Sequence, residues 1–442
     1  MGRITALEGR ALGIHIGFAP VLDVNNNPAN PVINTRAFGE DPVQVARFGA
    51  AFIRGMQSHG MLATGKHFPG HGDTGINSHL ALPVVNASRA RLDSVELPPF
   101  RAAVRAGVGA IMTFHGAMPA LDSTGVPGTL SRPVLTGLLR EGMGFDGLII
   151  TDAMDMRGVL DMFGAKEASI RAVAAGSDVL LMPSDVPGAI DAVVEGVRTG
   201  RYDEARLDSS VKRILAAKHA LGLERRRLVD LDGVRAVVGD SSHEAVAQLA
   251  AERSITLVKD SLRQLPLGRF TRGARVLSVT YSRRPDLAAG VTFDSELRRQ
   301  FPTLRSEFVD AASPVFDLQR ILQVADSADI VIVGSYVSHS WSATTVAAPR
   351  AFVDFVEELR RRGRPPVVVA FGNPYLLQQI PEVAAYVVAW GGFPVSQRAA
   401  ARALLGAAPI GGRLPISIPP VAHRGAGESR PALQRAAAQG AR

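Results

Sequence analysis

The chain has 442 residues, 46% of them hydrophobic and 20% charged, with a formal charge of +8 at pH 7. That length predicts two or three domains, and that composition excludes a disordered or fibrous chain. There is no cysteine, which removes disulfides, thiolate nucleophiles and Cys-ligated zinc. No apolar run is long enough to span a bilayer, and the residues after Met1 lack the basic-then-apolar pattern of a signal peptide. The sequence leaves the compartment open between cytoplasm and export. The positive charge comes from 44 arginines and five lysines, scattered apart from short runs such as Arg225–Arg227 and Arg360–Arg362. With only 6% aromatic residues to serve as stacking platforms, no nucleic-acid partner is expected.

In chain order, a helix-like stretch from Ile4 to Leu12 feeds the first predicted strand, Gly17–Asp23. Further strands are predicted over Leu62–Phe68, Gly109–His115, Gly147–Ala153 and Ser177–Met182. Helical periodicity places helices over Val43–Ser58, Pro98–Ala106, Pro133–Glu141, Lys166–Ala175, Ala189–Arg198 and Asp203–Leu221. Repeated βα units predict a parallel sheet, and polar, glycine-rich residues after the strands favour a barrel, whose active site is built from such loops. Five strands are fewer than the eight of a closed barrel. A charged stretch from 224 to 241 reads as a linker. Beyond it, strands near Val276–Thr280, Ile330–Tyr336, Pro366–Phe371 and Ala385–Trp390 alternate with helices near Pro349–Arg362 and Ser396–Leu405. This second α/β domain, residues 242–420, is expected as an open sheet with helices on both faces, and residues 421–442 as a disordered tail.

The densest chemistry lies in Lys66–His79, where three histidines, a lysine and Asp73 fall within fourteen residues. Glycines there allow a tight loop with unusual backbone angles. One reading is catalytic. The other is metal ligation by His67, His71, His79 and Asp73, although Pro69 and Gly70 exclude a helical ligand pair; the reading carried forward has no metal and no cofactor. The second cluster is Thr151-Asp152-Ala153-Met154-Asp155, directly after an apolar run, so Asp152 belongs at a strand end facing the barrel mouth. A carboxylate there either ties down a loop or acts as a covalent nucleophile, and Asp155 reads as a helix cap. The loop from Asn25 to Pro42, with Arg36, suits hydrogen bonding to hydroxyls or is purely structural. His115 is a further candidate.

Together these residues resemble glycoside hydrolase family 3, in its β-N-acetylglucosaminidase branch. The segments that carry the resemblance are Lys66–Pro83, Thr151-Asp152-Ala153, Asn34–Pro42, Phe371–Tyr375 and Gly411–Ile416, over about residues 1 to 420. The resemblance implies a (β/α)8 TIM-type barrel, N-terminally incomplete here, over residues 1–223, followed by an α/β sandwich. It implies a bacterial retaining hydrolase that removes terminal non-reducing β-linked N-acetylglucosamine, with peptidoglycan fragments as a source. Asp152 would be the nucleophile, His79 the acid/base, and Lys66, His67 and Arg36 the residues binding the sugar. His71, Asp73 and His115 are secondary candidates.

Two departures from the family pattern stand out. The branch usually carries an aspartate two residues before the catalytic histidine; here that position is Asn77, which predicts a weaker acid/base. The family also has two strands ahead of Gly17 and an Asp-x-Glu-Gly-Gly-Arg-like loop, neither matched here, so a fragment or a misassigned start is expected. The rival readings are a β-glucosidase of the same family, phosphorolysis by the same site, and a non-catalytic sugar-binding protein.

Overall fold

The computed structural model describes residues 1–283, 286–310, 313, 315–338 and 344–433. The chain divides into two compact units, the first running from Met1 to His243 and the second beginning at Glu244.

In the first unit four strands pair in parallel and in sequence order: β1 (Ile16–Gly17), β2 (Leu62–Phe68), β3 (Ala110–Thr113) and β4 (Leu148–Ile150). This is a stretch of barrel-type wall, with side chains buried on both faces, as β3 and β4 are throughout. Of the five expected strands only Leu62–Phe68 keeps its full length; β3 and β4 lose residues at both ends, and two others shrink further. Within Gly17–Asp23 the ladder breaks after Gly17 and resumes as a single Val21–Lys66 bridge. Within Ser177–Met182 only Val179 bridges to Ile150, and Met182 takes a left-handed φ of 48°.

The helices lie close to their predicted positions. Helix Pro42–Gln57 starts where it does because Asp41 accepts hydrogen bonds from the amides of Val43 (2.8 Å) and Gln44 (3.0 Å), with Pro42 at the first turn. Its buried stripe is Val45, Gly49, Ile53 and Met56, and Gly49 is needed because a Cβ would stand 2.4 Å from Leu22 Cδ2. Helical turns cover Leu97–Arg105, Val186–Arg198 and Glu204–Ala220, and Pro133–Gly142 is wound as a π-helix. The helix expected from Lys166 begins earlier, at Arg157, with a break at Gly164 (φ 67°) that hides its first half from a periodicity search.

The second unit is a six-stranded sheet in the order β5-β10-β9-β8-β6-β7, from β5 (Thr256–Asp260), β6 (Val276–Ser282), β7 (Arg305–Asp310), β8 (Ile330–Tyr336), β9 (Val367–Ala370) and β10 (Ala385–Val388). All pairs are parallel except β5 with β10. Alternate residues feed two separate cores: Val331 and Val333 face one, packed with helix Arg350–Arg361, while Ile330 and Ile332 face the other, packed with helix Pro394–Leu404. That is an α/β sandwich.

Strands β5 and β7 are the two edges and were not predicted. In β7 the sequence Arg-Ser-Glu-Phe-Val-Asp is mostly solvent-facing and lacks a continuous apolar run. Two further expectations are corrected. The 224–241 linker contains a helix, Leu231–Val237. The expected tail is held to the sheet within 421–433, by bridges Leu257–Glu428 and Ile410–Arg430, because the second unit leaves edge backbone for it to pair with; residues 434–442 lie outside the described residues.

Candidate active site

The polar side chains gather where β2, β3 and β4 end. Strand β2 runs straight into Lys66 and His67, and the chain then turns through Pro69–Asp73. Gly72 passes so near the backbone after β1 that a Cβ there would lie 1.8 Å from the Val24 carbonyl oxygen. Asn30 joins this loop to the Asn25–Pro42 loop. Its amide nitrogen donates to the carbonyls of His71 (2.8 Å) and Gly72 (2.9 Å), and its oxygen accepts from the amides of Val32 (2.9 Å) and Ile33 (2.8 Å).

Asp23 is the organiser that the sequence reading passed over. It is 1% exposed and accepts from the backbone amides of His67 (3.1 Å) and His71 (2.7 Å), with His67 Nδ1 2.7 Å from its Oδ2. Burial raises this carboxyl above its ordinary range, against the pull of His71, the two amides and Arg36. The same burial drives His67 well below 6.5, with Asp152 opposing and Arg36 and Lys66 reinforcing. The contact is therefore a hydrogen bond from a neutral imidazole, Nδ1–H to carboxylate. This tautomer leaves Nε2 as an acceptor toward Arg36 Nη2, 3.5 Å away. The other guanidinium nitrogen, Arg36 Nη1, donates to the Val32 carbonyl at 3.2 Å.

Asp152 follows β4. Its amide donates to Thr113 Oγ1 (3.2 Å), and its own Oδ1 accepts from the Ala153 amide (2.9 Å). Thr113 Oγ1 lies 2.7 Å from Thr129 Oγ1, and Thr129 Oγ1 lies 2.7 Å from His115 Nδ1. His115 Nε2 lies 2.9 Å from the Ala153 carbonyl. The Ala153 carbonyl can only accept, so His115 Nε2 carries the proton and the neutral ring's Nδ1 accepts from Thr129, whose hydroxyl also lies 3.2 Å from the Phe114 carbonyl and accepts from Thr113. His115 is fully buried with both ring nitrogens engaged, so it anchors the Asp152–Ala153 turn from beneath.

Burial alone would raise the Asp152 carboxyl. His67, His115, the Ala153 amide and Lys66 outweigh it and hold the group below its ordinary range. Both imidazoles are depressed by burial and neutral at pH 7. The standing positive charge beside Asp152 is then that of Lys66 and Arg36, each of which feels Asp152 in return. Lys66 is itself pushed down to about 8, by burial first and then by Arg36.

His79 is half-buried. Asn77 Oδ1 lies 2.9 Å from its Nδ1 and accepts its backbone amide at 3.0 Å, which fixes Nδ1 as the protonated nitrogen and leaves Nε2 free to exchange a proton. Burial lowers its pKa below 6.5, Asp152 opposes, Arg36 assists and Asp155 opposes. His79 and Asp152 are thus within electrostatic reach of each other.

His71 packs edge-on against His67, ring centroids 5.8 Å apart, but both its ring nitrogens are taken by other side chains, and Asp73 lies apart. His71 is buried beside Phe114, with Ser78 Oγ 3.0 Å from Nε2 and Thr74 Oγ1 2.8 Å from Nδ1, and burial pushes it down to about 3. Asp73 turns to Arg91, 3.6 Å away. With these nitrogens occupied, His67, His71, His79 and Asp73 do not converge, and among the described residues no cluster of three His, Asp or Glu is set to hold a metal ion.

The profile of the glycosyl hydrolase family 3 N terminal domain matches residues 1–217, and that of the family's C-terminal domain matches residues 210–438. A beta-N-acetylglucosaminidase/beta-glucosidase of Cellulomonas fimi is 33% identical over 441 residues, covering 92% of this chain and 75% of the relative. Among solved structures, a family 3 beta-N-acetylglucosaminidase from Paenibacillus sp. str. FPU-7 superposes with a TM-score of 0.84 at 33% identity, covering 94% of this chain and 79% of that one. A beta-glucoside phosphorylase bound to 2FGlc gives a TM-score of 0.85 at 27% identity, with 94% and 76% covered.

Proposed function

The chain belongs to glycosyl hydrolase family 3, and from that premise we propose that it is a retaining glycosidase removing terminal non-reducing β-linked N-acetylglucosamine. The observation that carries this reading is the pairing at the ends of β2 and β4: a half-buried carboxylate, Asp152, held ionised beside Lys66 and Arg36, and a half-buried imidazole, His79, with a free nitrogen.

In the first step the Asp152 carboxylate attacks the anomeric carbon as its bond to the leaving oxygen breaks, and imidazolium His79 gives that oxygen its proton. In the second, neutral His79 takes a proton from water, which attacks the same carbon and releases Asp152. Two displacements retain configuration. Lys66, Arg36 and His67 bind the sugar hydroxyls. His67 offers Nε2 as an acceptor because Asp23 has taken Nδ1–H, and Asp23 therefore acts as a positioning residue.

The C. fimi relative's name joins two activities. Rates on nitrophenyl β-N-acetylglucosaminide and nitrophenyl β-glucoside, for the protein and for Asp152→Ala, decide between them. A faster rate on the N-acetylated sugar that collapses in the variant is expected; preference for the glucoside refutes the substrate, and an unchanged rate refutes the nucleophile. The second reading is phosphorolysis, favoured by the likeness to the phosphorylase and by an acid/base that is uncharged at neutral pH and so does not repel an anion. A sugar 1-phosphate among the products in phosphate buffer would establish it.

A further inference from the structure

The run Arg225–Arg227 has no part in the catalytic reading, yet it lies on a built feature. Residues 226–237 pass over the helix Gly2–Ala11 and the turn after it, and between them is a cavity of about 370 Å³. Its lining includes Arg10, His15, Arg226, Arg227 and Asp230, with Leu7 and Val229 among the apolar residues.

The overlying segment is fixed on both sides. Gly13, at φ 79°, approaches it so closely that a Cβ would stand 2.7 Å from Val229 Cγ2. Farther along, Glu8 Oε1 accepts from the Gly239 amide at 3.2 Å and lies 2.8 Å from His243 Nδ1. The cavity is a feature of packed backbone, and its charge is unbalanced. Arg226 and Arg227 are exposed and, among the described residues, form no ion pair, whereas neighbouring Arg225 pairs with Glu224 at 3.4 Å. Three guanidinium groups thus face one carboxylate, that of Asp230, leaving two positive charges over. Three arginines around one cavity present forks of N–H donors, and an oxyanion is what such forks fit best.

We propose that this cavity binds a small doubly charged oxyanion, a phosphate monoester or free phosphate, with Arg10 at its closed end and Arg226 and Arg227 at its mouth. The apolar lining from Leu7 and Val229 suits the organic part of an ester, and about 370 Å³ is within the range of small-molecule pockets. Occupancy would tie the first helix to the segment that leads out of the first unit. The site is independent of the glycosidase reading.

The test is thermal unfolding of the whole chain with inorganic phosphate or phenyl phosphate at 10 mM (~10 mM, chosen to exceed a millimolar affinity) against sodium chloride of equal ionic strength. A rise of about 2–4 °C over chloride is expected. A larger rise with phenyl phosphate identifies the ester as the ligand class, and an equal rise identifies the free ion. The rise should disappear in Arg10→Met and in the surface variant Arg226→Gln/Arg227→Gln, which leaves the buried packing intact. No rise beyond that of chloride overturns the proposal. So does a rise that survives the double variant, and its loss in Lys66→Met would then place the anion beside Asp152 instead.

Discussion

Two carboxylates are buried at opposite ends of the same parallel strands, and they are kept in different ways. Asp178, where the chain enters its bridge to β4, is met by arginines: Arg140 Nη2 bonds Oδ2, and Arg213 and Arg206 lie 3.4 and 3.9 Å from Oδ1. Ser210 and the Ile149 amide complete its shell. Asp23, past the other end of β2, is met by amides and a neutral imidazole, with a guanidinium only at a distance. Fixed cations make Asp178 a structural tie. Neutral, orientable donors make Asp23 a means of aiming His67. The barrel's stability and its chemistry are thereby separated along the strand axis, as expected where loops at one end carry function.

The comparison is broken most severely by Asp178→Ala. Three guanidinium groups would lose their shared partner, and unfolding free energy should fall by about 3–5 kcal/mol, measured by denaturant titration, while the folded fraction keeps its turnover. At the other end Asp23→Asn should reverse the pattern. Little stability is lost, because an amide no longer carries a buried charge, but kcat/KM should drop on the order of 10- to 100-fold as His67 loses its fixed tautomer. If both variants affected stability and rate alike, the division between the two ends would not hold.

Lys66→Met sharpens the same contrast. The Lys66 ammonium is held down to about 8 from 10.5 by burial, so its protonated form costs the fold roughly 3 kcal/mol at most below pH 8. The sign follows from a folded value below the unfolded one: the cost is full below about 8 and fades as pH rises toward 10.5. The variant should melt higher than the parent at pH 7, lose that advantage above pH 10, and hydrolyse poorly. A lower melting temperature at pH 7 would contradict it.

The smallest effect is expected at Asn77→Asp. His79 lies below 6.5 because burial disfavours its charged form, so the rate of sugar transfer should fall as pH rises through a value under 6.5. A carboxylate at 77 would favour the imidazolium and move that limb upward by about 1 unit. Superimposable pH–rate profiles would remove Asn77 from the account.

The strand-end logic that singles out Asp152, Lys66 and His79 uses a local signal, an apolar run followed by a polar residue. Arg36 and the helices at Pro42 and Glu204 were legible for similar reasons, through proline, caps and periodicity. What the sequence concealed was long-range. Asp23 acts on His67 across 44 positions, and Thr129 on His115 across 14. Nothing in a run of Asp-Val-Asn-Asn-Asn indicates which imidazole the aspartate will meet. Nor does the sequence show that His71, packed edge-on against His67, gives its ring nitrogens to Thr74 and Ser78, or that Asp73 turns to Arg91. Edge strand β7 escaped because it buries too little to need an apolar pattern.

The most direct test of the central claim is covalent trapping. A 5-fluoro N-acetylglucosaminyl fluoride should load the enzyme quickly and release slowly, adding one sugar to the intact mass and to the peptide that contains Asp152. Label on that residue is the predicted result. Label on another carboxylate, or full hydrolysis by Asp152→Ala, would contradict the account.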